Sequence, residues 1–145
     1  MKQLAIVLSS FAGALALVSV ALAGSSSGSM MSNMHAANMV SVTLSPQNNS
    51  GQSGTAVLAQ QGANVVVTLK MTGIPAGVAE PAHIHPGTCA KLNPVPKYPL
   101  TNATNGTTTT TISNVQLSSL TGGKFAINVH NAKTLSIYVA CGNIQ

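Results

Sequence analysis

Aspartate, arginine and tryptophan are absent from this chain, and glutamate occurs once, at Glu80. Each gap removes chemistry. One carboxylate cannot build a paired-carboxylate hydrolase, a carboxylate-rich calcium site or a Ser-His-Asp triad. Six lysines give a net charge of +5, but they are scattered singly. A nucleic-acid face needs clustered Lys and Arg with stacking aromatics, and past residue 23 the only aromatic rings besides histidine are Tyr98, Phe125 and Tyr138. Nucleic acid is therefore excluded as a partner. No segment past the N-terminal run shows a helical period, and no internal repeat is present.

What is present begins at the N-terminus. Lys2 precedes an apolar run over residues 4–22, broken only by the small residues Ser9, Ser10, Gly13 and Ser19. Ala21-Leu22-Ala23 follows the small-x-small pattern of a signal peptidase site. A polar stretch, residues 24–29, comes next, where a membrane anchor of this length would carry positive charge. The pattern predicts a signal peptide over 1–23 and a periplasmic or secreted chain with no membrane span after cleavage. The remaining 122 residues suit one domain with a single core. That portion holds five lysines against Glu80. It also holds two cysteines, Cys89 and Cys141, which in an oxidising compartment most simply form one disulfide. Loop-closure entropy gives such a bond roughly 4 kcal/mol.

Residues 24–39 read as a flexible Met/Ser/Gly-rich leader, and 40–145 as the folded domain. In the domain, short β-rich runs alternate with turn clusters: residues 40–44, 55–60, 64–71, 81–85, 107–112, 124–130 and 135–141. Seven candidate strands predict an all-β fold, a Greek-key antiparallel β-barrel or sandwich. Residues 86–106 are too long for a turn; they read as a loop holding four prolines and tethered through Cys89.

Three of the four histidines lie at strand ends. His83 and His85 are two apart, so they leave the same face of a strand while Ala82 and Ile84 point to the core. In residues 124–130, Phe125, Ile127 and Val129 share one parity, and His130 points the other way. The three imidazoles are thus expected on the outer face, converging if the two strands are neighbours. Neutral imidazole suits copper, zinc and nickel.

His83-Ile84-His85-Pro86-Gly87-Thr88-Cys89, Asn93-Pro94, Ile127-Asn128-Val129-His130 and Ala140-Cys141-Gly142, taken in order, resemble the copper–zinc superoxide dismutase family over roughly residues 40–144. That resemblance implies a Greek-key barrel, copper ligation by His83, His85 and His130, and a Cys89–Cys141 disulfide. The chain also departs from the family. Residues 86–106 contain no His, Asp or Glu, so the bridging histidine and the zinc ligands are missing and no zinc is expected. Tyr138 stands where the family has its arginine. The interval between His130 and Cys141 is too short for the family's electrostatic loop.

A second cluster lies in the leader, where Met30, Met31, Met34 and His35 gather soft thioethers and an imidazole suited to Cu(I). The sequence therefore predicts an exported protein that binds one copper ion, Cu(I) or Cu(II), for buffering, delivery or tolerance. A copper-delivery or acceptor protein would be its partner. The alternatives are a copper-only superoxide dismutase, and a structural domain of the same fold without metal.

Overall fold

The computed structural model describes residues 38–145. The expected signal peptide and Met30, Met31, Met34 and His35 lie outside the described residues. Nine strands follow in chain order: β1 (Met39–Pro46), β2 (Ser53–Gln61), β3 (Asn64–Thr72), β4 (Glu80–Thr88), β5 (Lys91–Leu92), β6 (Tyr98–Ala103), β7 (Gly106–Ile112), β8 (Phe125–His130) and β9 (Tyr138–Ile144). One 3-10 turn, Leu117–Ser119, links β7 to β8. Among the described residues no helix is long and apolar enough to cross a membrane.

The strands form an all-β, antiparallel, curled sheet in the order β5-β4-β8-β9-β1-β2-β3-β7, with β6 also paired to β4. Alternation drives the curl: Val65, Val67, Leu69 and Met71 of β3 all turn inward, as do Ala56 and Leu58 of β2 and Val42 and Leu44 of β1. Across the core stand Ala82 and Ile84 of β4, with Ile127 and Val129 of β8. At the ends of the curl, β6 and β7 lie side by side through threonines. The Thr101 amide donates to Thr110 Oγ1 at 2.7 Å, and Thr101 Oγ1 donates to the Thr109 carbonyl at 2.9 Å.

All seven expected strands are found, with shifted ends. Two were not expected, β5 and β6, and both lie inside residues 86–106, which are therefore no simple loop. Strand β6 pairs with β4 across a bulge between Glu80 and Ala82, so its inward residues Leu100 and Ala103 break the regular alternation. Pro99 is compatible with this position because β6 is an edge strand. The last strand begins at Tyr138 rather than 135, since residues 135–137 form a turn. The threonine-rich β7 is an edge strand with alternate residues exposed, as its composition indicates.

The sulfurs of Cys89 and Cys141 are bonded, with Cα atoms 5.8 Å apart. This ties the segment after β4 to β9. The Cys89 amide also donates to Asn143 Oδ1 at 2.7 Å, so bond and hydrogen bond hold the same junction.

Candidate metal centre

Strand pairing brings the three histidines together. β4 and β8 are neighbours, with Ala82 opposite Val129 and His83 opposite Asn128. His83 and His85 leave the face of β4 away from Ala82 and Ile84, and His130 ends β8 on that same face. One nitrogen from each of the three rings lies within 4.8 Å of the others. The sequence places these side chains on the outer face, but they are not open to solvent. His85 is 1% exposed and His130 7%, while His83 is half-buried. The reason is that two loops fold over this face, one running from β5 to β6 and one from β8 to β9.

Each loop supplies a backbone carbonyl that fixes a ring. His85 Nδ1 lies 2.8 Å from the Asn93 carbonyl, and His130 Nδ1 lies 2.6 Å from the Leu135 carbonyl. A carbonyl only accepts, so both Nδ1 atoms carry the proton and both Nε2 atoms present lone pairs. Those two Nε2 atoms face one another at 3.3 Å. His83 Nδ1 is buried with no hydrogen-bond partner. Three ring nitrogens thus lie close together, with the Asn128 amide, among the described residues, the one side-chain N–H within hydrogen-bond distance of His130 Nε2, an arrangement that could hold a cation.

The spacing of His85 Nε2 and His130 Nε2 also fits an ion between them. A metal held about 2.0–2.1 Å from each of several imidazole nitrogens puts neighbouring donors roughly 3.3–3.6 Å apart in tetrahedral or trigonal geometry. The rings stand at steep angles, His83 edge-on to both His85 and His130, with centroids 5.6 and 5.0 Å away. Burial, followed by the neighbouring His130 and His85, holds the His83 pKa below its ordinary value. For His85 burial is again the largest cause; the hydrogen bond to Asn93 opposes it and His130 adds to it, for a net lowering. Both rings are therefore biased toward the neutral form that ligates metal.

The loops are themselves ordered by their sequence. Asn93 Oδ1 accepts from the Val95 amide at 2.9 Å, and the Asn93 amide donates to the Pro86 carbonyl at 2.8 Å. Asn131 Oδ1 accepts from the amides of Lys133 and Thr134, at 3.0 and 3.1 Å, and its own amide donates to the Ile137 carbonyl. That closure aims the Leu135 carbonyl at His130. A cleft of about 480 Å³ remains over the histidines, walled by Pro94, Pro96, Leu135 and Tyr138. The Tyr138 ring stands edge-on to His130, with centroids 5.1 Å apart.

Three groups besides the histidine rings take part in the site. Asn128 is fully buried on the histidine face, with Nδ2 3.3 Å from His130 Nε2 and Oδ1 without a partner. Its signal was available: it is the polar residue sharing His130's parity in an otherwise apolar strand. The carbonyls of Asn93 and Leu135 carried no such signal, because any residue has one.

A family model described as the CHRD domain matches residues 23–135, well over half of the chain. The chain belongs to the CHRD domain family. None of the curated proteins matches it. The match corrects the resemblance to copper–zinc superoxide dismutases: this CHRD domain is not a member of that family. The motifs that suggested it have local explanations. Gly87 has φ +100°, and a Cβ there would collide with the Lys91 carbonyl of the paired β5. Gly142 leaves room for the Thr43 carbonyl and for Val42 and Leu44 as β9 crosses β1. His83-x-His85 reflects strand alternation. Such demands arise in any curled antiparallel sheet that crosses itself closely, so they do not identify one family.

Proposed function

We propose that this CHRD domain binds one copper ion through His83, His85 and His130, and that the protein is an exported copper-handling protein serving buffering, delivery or tolerance. The observation that carries this reading is the pair of Nε2 lone pairs at 3.3 Å, each ring fixed by a backbone carbonyl. The Asn128 amide relieves only the His130 lone pair, whereas a cation between the rings would relieve both. Copper is favoured over the other metals that imidazole accepts because Cu(II) stands highest among the divalent first-row ions. Copper would supply a strong Lewis acid with accessible one-electron chemistry. The protein's own residues hold His85 and His130 in one tautomer, wall the site with Pro94, Pro96 and Leu135, and leave a cleft for exchange.

The signal-peptide pattern of residues 1–23 supports export, and the disulfide supports an oxidising destination. Met30, Met31, Met34 and His35 add a soft-ligand cluster next to the domain in sequence, suited to passing Cu(I) to or from a delivery or acceptor protein. The curl of the sheet, with β6 and β7 adjoining, supports a barrel-like closure, the finer form of the expected all-β fold. Dismutation of superoxide has no support of its own once the resemblance behind it is set aside.

The test is titration of the disulfide-bonded chain with Cu(II) and, against a competing chelator, with Cu(I). Parent protein should bind one equivalent, and His83→Ala and His130→Ala should each weaken binding by at least ~100-fold, since even outer-sphere losses cost 10–100-fold. Parent-like binding in both variants would end the proposal and leave a structural domain without metal.

A further inference from the structure

Asn128 has a buried side chain beside the three rings, and its hydrogen bonding is half complete. Its amide nitrogen donates toward His130 Nε2 at 3.3 Å, while its amide oxygen is buried without a donor. The residue is wholly enclosed, and leaving a buried amide oxygen unpaired costs free energy. The contact it does make uses the same lone pair that His130 needs for metal. An ion on His130 Nε2 therefore displaces the Asn128 amide hydrogen, and both ends of the amide then lose their roles.

We propose that Asn128 Oδ1 is the fourth ligand of the centre, completing a three-nitrogen, one-oxygen donor set that selects Cu(II) over Cu(I). This rests on the three-histidine reading above. A half-turn of the amide about Cβ–Cγ exchanges its two ends and puts the oxygen where the nitrogen now stands, 3.3 Å from His130 Nε2. That is the donor-to-donor spacing already found between His85 and His130. The position the oxygen leaves offers it no donor, so nothing there holds it back. Strand register supports the placement: Asn128 lies directly opposite His83 on β4, on the face where the three rings converge.

The valence preference follows from donor chemistry. Tetragonal nitrogen and oxygen sets suit Cu(II), whereas Cu(I) prefers thioether and thiolate and is content with few imidazoles. A neutral amide oxygen thus stabilises the oxidised ion and adds little to the reduced one. The methionines of the leader have the opposite preference.

Asn128→Leu keeps the volume and removes the oxygen. In the disulfide-bonded chain, its Cu(II) affinity should fall about tenfold or more while Cu(I) affinity stays within about threefold, which raises the copper midpoint potential by about 59 mV per tenfold. The paramagnetic resonance spectrum of the Cu(II) form should change with it. Asn128→Asp, which keeps an oxygen and adds charge, should hold Cu(II) at least as tightly as the parent. It also serves if the leucine variant does not fold, since weaker Cu(II) binding in the aspartate variant overturns the inference. Equal loss of Cu(I) and Cu(II) in Asn128→Leu, or an unchanged spectrum, also overturns it and leaves Asn128 as packing. Those outcomes leave the three-histidine site intact as long as His83→Ala and His130→Ala still lose copper, so the two failures are distinguishable.

Discussion

At the scale of single residues, polar groups buried beneath apolar strands govern what the domain tolerates. Glu80 is buried, and its Oε1 accepts from Gln52 Nε2 at 3.0 Å. Glu80→Ala strands the Gln52 amide, and the expected loss is about 1–3 kcal/mol in denaturant unfolding. Gly142 is constrained differently. Gly142→Ala drives a methyl group into the Thr43 backbone and the Val42 side chain. Overpacking of that kind costs about 1–3 kcal/mol, readable in the same experiment. The histidines were legible in the sequence because alternation fixes parity, and parity alone puts His83, His85 and His130 on one face. Their burial was not legible, because it depends on loops whose path no local pattern encodes. Asn128 is less legible, because Phe125, Ile127 and Val129 define the apolar parity of β8 and a single polar residue on its other face does not announce a site.

At the scale of elements, the strands with clean alternation, β1 and β3 above all, could be read directly. β6 could not, because Pro99 and the bulge opposite it disturb its period. The pairing of β4 with β8 was likewise invisible: 36 residues and four elements separate them, and only the closed sheet makes them neighbours. The segment from β4 to β6 depends on the Cys89–Cys141 bond for its position. Replacing both cysteines by serine should lower stability by about 4 kcal/mol, the entropy of closing a loop of this size. It should also weaken copper binding by about 10–100-fold, as expected when an outer-sphere partner of a ligand is lost, since the Asn93 carbonyl that orients His85 belongs to this segment. Unfolding curves and copper titration of the double variant check both. Undiminished copper affinity would show that the loop finds its place without the bond.

For the whole molecule, charge is distributed in an unusual way. Among the described residues Glu80, the only carboxylate side chain, is buried and all five lysines are exposed, so the exterior side chains carry positive charge alone. The histidines add a pH dependence of their own. His83 and His85 have folded-state pKa values below the ordinary 6.5. Below pH 6.5 the unfolded chain takes up protons that the folded chain refuses, so metal-free stability is complete above that pH and falls as pH drops through the lowered values. Thermal unfolding at pH 7.5 and 5.0 should show this slope in the metal-free parent and a flatter one in a His83→Ala, His85→Ala double variant. At this scale the sequence yielded the fold class, while the family emerged only from the match to the CHRD domain. Two of the shared motif positions, Gly87 and Gly142, answer to local steric demands.

The bond between Cys89 and Cys141 also imposes an order of events. It closes only where thiols are oxidised, and the carbonyl that presets His85 hangs from the segment it anchors. On the copper reading proposed above, a chain whose thiols are still reduced would be the poorer competitor for metal, whatever its histidines offer. On that reading oxidation would come first and the ion second, so an exported chain would gain its full affinity only where the disulfide forms.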